Sequence, residues 1–404
     1  RLRRSGRSVR ALLGSIALVL VLVGCDLGQI VPGGQTSAPT PTATSSNLDQ
    51  RIDAYIASLT PAQQIGQTLM LAVYANAYND NLNQALTQWH LGSAIVFPNY
   101  NGGALMPTTA AGMRQLVADL QAHADTPLLV ATDEEGGPVD RLSFYFGQTP
   151  SPQQLAATGD THQAYLQAQT DADRMRQLGF NIDFAPLADV DQGGGLDPSR
   201  MFGATPDQVT RYAGAFLDGL QQHGVGGMLK HWPGLGASTG NPDFTLPTVN
   251  SSQADLNAID FAPYRSLLPH QPAMIMVTHV IVPAYDGQAP ASLSPVLVQQ
   301  VLRGQLGYQG VVVTDAMDAQ GLVAYMQQQG YNDPALGIAE ACVRAFLAGD
   351  DLIEAPIEQD RLAAVVSAMT LAVQSGRISP ARLREALRRI IGLKVRLGVL
   401  TLPG

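Results

Sequence analysis

Polar residues follow short apolar runs at five places in this sequence, where strands of an α/β protein would end. These groups are Asp133-Glu134-Glu135, Asp183 with Asp189, Lys230-His231, Thr278-His279 and Thr314-Asp315. One aspartate in such a position is commonly the cap of the next helix. Capping explains less well why the pattern recurs at five of eight predicted strands, so we expect these groups to share one pocket.

That pocket would be lined by carboxylates. The sequence contains no phosphate-binding loop, and its seven histidines are scattered without metal-ligand spacing. Carboxylates that work without a metal are typical of glycoside hydrolysis, in which two acid or base groups flank an oxocarbenium-like transition state. Glycines beside them, such as Gly136 and Gly137, would let the backbone approach a flat sugar ring. We therefore expect a carbohydrate ligand, no metal and no cofactor.

Two kinds of apolar segment alternate from Leu48 onward and would position these groups. Short continuous runs predict parallel strands covered on both faces; they are Leu69–Val73, Ser93–Phe97, Leu128–Thr132, Ile182–Ala185, Gly227–Lys230, Ala273–Thr278, Val311–Thr314 and Asp351–Ile353. Helical patterns lie between them, at Asn81–Trp89, Thr109–Ala122, Thr161–Leu178, Asp207–His223, Ala254–Leu268, Pro295–Leu306, Pro334–Leu347 and Arg361–Ser375, with a last helix at Pro380–Leu397. Eight strand–helix units in roughly 350 residues favour a TIM-type (β/α)8 barrel over a doubly wound open sheet.

The N-terminus has the composition of a lipoprotein signal. Five arginines precede the apolar segment 11–23, which is shorter than the roughly 20 residues of a transmembrane helix and is typical of a signal peptide. Cys25 directly follows Leu22-Val23-Gly24, as in a bacterial lipobox, and a simple secretory signal with an incidental cysteine is the alternative. We predict a signal peptide over 1–24, a lipidated Cys25 with a Ser/Thr/Pro-rich tether over 25–47, and one barrel domain over 48–404.

This organisation predicts a protein outside the cytoplasm, anchored by lipid to a bacterial membrane. The formal net charge of the chain is −9, and it becomes −14 without residues 1–24, which carry five arginines and no acid. Such an acidic protein would repel the phosphate backbone of a nucleic acid, so we expect no nucleic-acid partner.

Several blocks of the sequence resemble glycoside hydrolase family 3, in particular its single-barrel β-N-acetylglucosaminidases (β-N-acetylhexosaminidases). Val301–Gln305 and Gly310–Asp318 are similar to the family's active-site signature along its whole length. Further blocks agree in order, over roughly residues 50 to 400: DEEGGPVDR from Asp133, NIDFAP from Asn181, RMFG from Arg200, KHWPG from Lys230 and ASLS from Ala291. The resemblance implies that Asp315 is the nucleophile and that a second set of residues binds the sugar, namely Asp133, Arg141, Arg200, Lys230 and His231.

The loop after Lys230 departs from the family pattern. In the family this loop carries an Asp-Ser-His triplet, whose histidine is the general acid/base and is oriented by the aspartate. Here the triplet positions hold Asn241-Pro242-Asp243, so Asp243 stands in place of the histidine. Either Asp243 serves as acid/base, oriented by Asn241, or the acid/base is lost and hydrolysis becomes about 10²–10⁴-fold slower.

The sequence thus predicts a retaining exo-glycosidase that removes terminal β-linked N-acetylglucosamine from peptidoglycan fragments or chitooligosaccharides. One alternative is a weakly active or inactive sugar-binding lipoprotein. A second is a β-glucosidase or β-xylosidase of the same family. Those enzymes usually carry an additional α/β domain that supplies the acid/base, and these 404 residues account for a barrel alone.

Overall fold

The computed structural model describes residues 43–98, 105–356 and 358–403, with side chains from 47 onward. The predicted signal peptide, Cys25 and most of the predicted tether lie outside these residues. Within residues 43–98, 105–356 and 358–403, no helix is long and apolar enough to cross a membrane.

Eight parallel strands form the centre of the molecule, which confirms the predicted (β/α)8 barrel. The strands are β1 (Leu69–Val73), β2 (Ser93–Val96), β3 (Leu129–Thr132), β6 (Ile182–Asp183), β7 (Gly226–Trp232), β8 (Met274–Val277), β9 (Val311–Thr314) and β10 (Ile353–Ala355). They pair in the order β10-β1-β2-β3-β6-β7-β8-β9, and a parallel bridge between Val313 and Leu352 joins the two end strands. Two short strands, β4 (Glu134–Gly136) and β5 (Val139–Asp140), form an antiparallel hairpin outside the barrel, directly after β3.

Helices surround the strands. They are α1 (Ala43–Ser58), α2 (Pro61–Gly66), α3 (Asp80–Thr87), α4 (Ala110–His123), α5 (Ser143–Phe146), α6 (Pro152–Ala157), α7 (Thr161–Leu178), α8 (Pro206–Gln222), α9 (Gln253–Asp255), α10 (Phe261–Leu267), α11 (Gln320–Gln328), α12 (Pro334–Ala348), α13 (Gln359–Gln374) and α14 (Pro380–Arg396). Leu256–Asp260 and Val296–Gln305 form π-helical segments, and both lie where ordinary helices are predicted.

The first helix extends across the predicted boundary between tether and barrel. Helix α1 begins at Ala43, so residues 43–47 are helical although they are assigned to the tether, and the compact unit begins at Thr44. The sequence of α1 begins ATSSN and lacks the regular apolar spacing by which helices are recognised. The helix packs on the core through Ile52 and Ile56, which are buried.

The core has two layers, because alternate residues of each strand point to opposite faces. One layer lies between the strands and the helices and includes Leu71, Val130 and Ile275. The other fills the barrel, and Ile390 and Leu393 of α14 belong to it, so the last helix closes the barrel at the end where the strands begin.

The same alternation determines which residues face the open end of the barrel. Ala131, Met228, Val313 and Leu352 belong to the interior layer. Two residues after each of these positions, the chain carries Asp133, Lys230, Asp315 and Glu354, respectively. Period-two alternation therefore directs four ionisable side chains from four strands into the space above the interior layer.

Candidate active site

A cavity of about 210 Å³ opens at the face of the barrel where the strands end. Its apolar lining includes Tyr74, Phe97, Phe184 and Met276. Its polar lining consists of Asp133, Glu135, Arg141, Arg200, Lys230, His231, Asn241, Asp243, Asp315 and Glu354. All seven residues to which the sequence analysis gives a catalytic or sugar-binding role therefore line one cavity.

Lys230 is the centre of an ion-pair network on one wall. Its ammonium lies 2.8 Å from Asp133 Oδ1 and 2.6 Å from Glu135 Oε1. Arg200 binds Glu135 with two hydrogen bonds of 2.8 Å, and Arg141 Nε lies 3.8 Å from Asp133 Oδ2. The network fixes the positions of five charged groups before any ligand enters, because each charge is held by an opposite one.

Burial and charge act in opposite directions on this network. Burial by itself would raise the pKa of Glu135, but the charges of Arg200 and Lys230 outweigh it and hold that pKa far below its usual value. Burial likewise favours a neutral Lys230, and the carboxylates of Asp133 and Glu135 outweigh it and raise the pKa of the lysine. Both groups are therefore charged at neutral pH.

His231 is held by a buried aspartate. Its Nδ1 lies 2.7 Å from Asp189 Oδ2, and Asp189 also accepts backbone N–H groups from His231 and Leu235. Because Asp189 binds the Nδ1 side of the ring, Nε2 is the ring nitrogen left for the cavity. Lys230 and His231 both line the cavity although they are consecutive in β7, and the β7–β8 register is irregular between Leu229 and Trp232. A bulge of this kind redirects one side chain.

Asp315 follows β9 and is fixed by hydrogen bonds to both carboxylate oxygens. Thr278 Oγ1 donates to Oδ2 at 2.7 Å, and the backbone N–H of Ala316 donates to Oδ1 at 2.9 Å. Burial would raise the pKa of Asp315, but His279 and His231, together with these two hydrogen bonds, outweigh it and lower the pKa. The carboxylate is therefore ionised and oriented towards the cavity.

Asp243 reaches the same cavity from the loop after β7. The loop is tied to the start of α11, where the backbone N–H groups of Gln320 and Gly321 donate to the carbonyls of Asp243 and Pro242. Asn241 Oδ1 accepts the backbone N–H of Asp243 at 2.9 Å, so Asn241 fixes the turn. The residue as a whole is exposed, yet desolvation of its carboxyl group and the negative charge of Asp315 raise the pKa of Asp243.

Some of the polar groups at strand ends do not line the cavity, contrary to the expectation of one shared pocket. Asp183 is buried and accepts the backbone N–H of Glu134 at 2.9 Å. Three more of these residues are buried outside the cavity. Asp189 bonds to His231, and both Thr278 and His279 lower the pKa of Asp315. A residue's position at a strand end does not show whether its side chain points inward or sideways, and that direction separates the lining residues from the supporting ones.

Two cavity residues received no role from the sequence. Glu135 was recognised only as part of a block, and its ion pairs with Lys230 and Arg200 join segments up to 95 residues apart. The sequence analysis gives Glu354 no role, although this residue directly follows the predicted strand Asp351–Ile353. A glutamate two residues after an inward-facing strand residue is the signal that could have identified it.

In the described part of the chain, no group of three or more His, Cys, Asp or Glu side chains is arranged to hold a metal ion. The cavity brings the carboxyl groups of Asp315 and Asp243 together beside a fixed ionic wall.

Barrel and site together define a glycoside hydrolase, and the comparisons with known proteins agree. Residues 60–393 match the model of the glycosyl hydrolase family 3 N terminal domain. The chain belongs to glycosyl hydrolase family 3.

Its relatives include the beta-hexosaminidase LpqI of Mycobacterium tuberculosis, which is 32% identical over 96% of this chain and 97% of the relative. An uncharacterized secreted glycosyl hydrolase of Arthroderma benhamiae is 29% identical over 83% of this chain and 94% of its own length. Among solved structures, a family 3 beta-N-acetylglucosaminidase from Paenibacillus is 32% identical, with a TM-score of 0.78, over 86% of this chain and 65% of that one. A family 3 member from Mycobacterium smegmatis is 30% identical, with a TM-score of 0.74, over 86% of this chain and 99% of that one.

Proposed function

We propose that this protein is a retaining exo-β-N-acetylhexosaminidase that releases terminal N-acetylglucosamine from peptidoglycan fragments or chitooligosaccharides. The observation that carries the proposal is the pair of carboxyl groups at one cavity, Asp315 with a lowered pKa and Asp243 with a raised one. Environments that push two carboxyl pKa values apart are how glycosidases assign the roles of nucleophile and acid. The names of the relatives LpqI and the Paenibacillus enzyme support the substrate class.

In the proposed reaction the Asp315 carboxylate attacks the anomeric carbon, and the bond from that carbon to the leaving oxygen breaks. Asp243 gives its proton to that oxygen, so the aglycone leaves as an alcohol. Water then attacks the same carbon, Asp243 takes a proton from it, and the bond to Asp315 breaks. Asp315 and Asp243 thereby return to their starting states, and the sugar keeps its anomeric configuration.

The remaining cavity groups would bind the sugar. Asp133, Arg141, Arg200, Lys230 and His231 present fixed donors and acceptors for hydroxyl groups. Because the ion pairs hold these groups in place, binding costs little reorganisation. The cavity of about 210 Å³ suits one terminal sugar unit, which supports exo action.

Trapping of the covalent intermediate tests the proposal. The protein is incubated with an activated 5-fluoro N-acetylglucosaminide, digested and examined by mass spectrometry. We expect an adduct on the peptide that contains Asp315, and none with the variant Asp315→Asn. Absence of an adduct together with absence of aryl-glycoside turnover would refute the hydrolase.

The exposure of Asp243 supports one alternative, a protein that binds sugar but hydrolyses natural glycosides poorly. An exposed carboxyl group loses its proton to water more readily than a buried one. Such a protein would cleave aryl glycosides, whose leaving groups need little protonation, and would fail on chitobiose. The ratio of the two rates separates the alternatives.

We also propose that the protein is a lipoprotein outside the bacterial cytoplasm. The support is the sequence of residues 1–25, in which arginines and an apolar segment precede Cys25. Lipidation would require Cys25, so Cys25→Ala should release the protein from the membrane fraction. Continued membrane association of that variant would refute lipidation at this residue.

A further inference from the structure

Glu354 lies beside Asp315 in the barrel. Val313 of β9 bridges Leu352, the residue before β10, in parallel register, which places Asp315 next to Glu354 two residues later. Two hydrogen bonds fix this arrangement: Thr314 Oγ1 accepts the backbone N–H of Glu354 at 3.0 Å, and the carbonyl of Glu354 accepts the N–H of Met317 at 3.2 Å. The relative position of the two carboxyl-bearing residues is therefore built into the backbone.

The side chain of Glu354 faces the cavity. Leu352 belongs to the interior layer, and alternation directs Glu354 to the same side. Glu354 is 4% exposed and lines the cavity, yet its carboxyl oxygens make no hydrogen bond or ion pair with any residue in the described part of the chain. These oxygens face the cavity, so a ligand there could bond to them without displacing a protein partner.

The charges around Glu354 come from four elements. They are Asp315 after β9, Asp133 after β3, Asp318 in the segment that leads to α11, and Lys230 of β7. Burial, and then the three carboxylates, raise the pKa of Glu354 well above its usual value, and Lys230 offsets this only in part. This environment favours the neutral carboxylic acid, which has one O–H to donate and one oxygen to accept.

We propose that Glu354 is a specificity residue that recognises the 2-acetamido group of the bound sugar, donating its O–H to the amide carbonyl. The inference rests on the proposed sugar-binding function. A nucleophile that reaches the anomeric carbon lies close to the substituent on the next ring carbon, and Glu354 is the neighbour of that nucleophile. The carbonyl oxygen of an acetamido group is an acceptor that matches the O–H of a protonated carboxyl group. A hydroxyl group at the same ring carbon has no carbonyl oxygen to accept this bond.

Binding measurements on the whole protein test this inference without depending on turnover. Calorimetric titrations with N-acetylglucosamine and with glucose would compare the unaltered protein with Glu354→Leu and Glu354→Gln. The control is Asp171→Asn, which alters a buried carboxyl group of α7 outside the cavity. Leucine removes both hydrogen-bonding atoms, whereas glutamine keeps one donor and one acceptor.

We expect Glu354→Leu to bind N-acetylglucosamine about tenfold more weakly while its glucose affinity changes less, since removal of a partner leaves a buried polar group unpaired. Glu354→Gln should retain most of the preference, and Asp171→Asn all of it. An unchanged preference in a Glu354→Leu protein that melts cooperatively would refute the inference, as would the absence of sugar binding by the unaltered protein. Binding with the expected preference but no turnover would refute the hydrolase and leave the role of Glu354 intact.

Discussion

Thr278 and Asp315 are joined across neighbouring strand ends by a hydrogen bond of 2.7 Å, in which the threonine hydroxyl donates to Asp315 Oδ2. Thr278 follows β8, and Asp315 follows β9. Because the threonine is completely buried, the bond is shielded from water and helps to keep Asp315 ionised. The nucleophile of the proposed reaction thus depends on a residue that does not line the cavity.

Replacement of Thr278 by valine should therefore impair the nucleophile. A hydrogen bond to a charged group contributes about 1.5–3 kcal/mol, so we expect kcat/KM on an aryl glycoside to fall about 10–100-fold. The acid limb of the pH–rate profile should move to higher pH, since a lost donor raises the pKa of Asp315. The matched control is Thr170→Val on the exposed face of α7, which should change neither quantity. An unmoved acid limb would show that the hydroxyl is dispensable.

Asp243 should control the alkaline limb of the same profile. A proton donor acts only while protonated, and the raised pKa of Asp243 extends this state to higher pH. We expect Asp243→Asn to lower the rate on chitobiose about 10²–10⁴-fold, to spare an activated aryl glycoside and to flatten the alkaline limb. Asp243→His, which restores the residue type of the family, should recover part of the loss. If Asp243→Asn leaves the chitobiose profile unchanged, another group supplies the proton.

Lys230→Met should destabilise the fold as well as the site. Lys230 is 2% exposed and neutralises Asp133 and Glu135, so its removal leaves two buried carboxylates without their shared partner. Breaking a buried ion pair in this way typically costs about 3–5 kcal/mol. Chemical denaturation would measure the change, with Arg211→Met as the control, because the Arg211–Asp207 pair is exposed and contributes less than about 1 kcal/mol. Equal effects of the two variants would contradict the structure.

Asp171 should make stability depend on pH. Burial, with Asp140 adding to it, raises the pKa of Asp171 to about 7 from 3.8. The folded protein thus binds this proton more tightly than the unfolded chain, and the stability that the proton contributes is lost as pH rises from about 4 through about 7. We expect Asp171→Asn to raise the free energy of unfolding by a few kcal/mol at pH 8 and to have little effect at pH 4. A gain of the same size at both pH values would exclude titration as its cause.

Lys394 should make stability increase with pH, opposite to the effect of Asp171. This completely buried residue of α14 donates to Gln67 Oε1 at 2.6 Å, and burial lowers its pKa to about 7 from 10.5. Between these values the unfolded chain holds a proton that the folded protein lacks, so stability increases with pH from about 7 to about 10. Lys394→Met should therefore stabilise the protein at pH 6, and the difference should shrink towards pH 10. Thermal melts of both proteins across this range measure the difference. A difference of the same size at pH 6 and pH 10 would contradict the prediction.

Patterns of apolar residues predicted most of the barrel. The eight strands occur where short apolar runs are found, because a strand buried on both faces needs continuous hydrophobic residues. The helices that were missed, such as α2, α6 and α11, are short or carry little amphipathic pattern. Thr60 and Ser151 form capping boxes at the starts of α2 and α6, and these local signals could have revealed both helices.

The sequence alone determined the family, the fold and the residues that converge at the ends of the strands. Those properties follow from residue type and from spacing along the chain. Only the tertiary structure decided which groups touch. Asp189 holds His231 from 42 residues away, and Lys230 holds Asp133 from 97 residues away. The tertiary structure also decided the charge of each group: neighbouring groups outweigh burial and lower the pKa of Asp315, whereas burial and neighbouring carboxylates raise those of Asp243 and Glu354. Desolvation and Coulomb interactions depend on distances through space, which the order of residues does not specify.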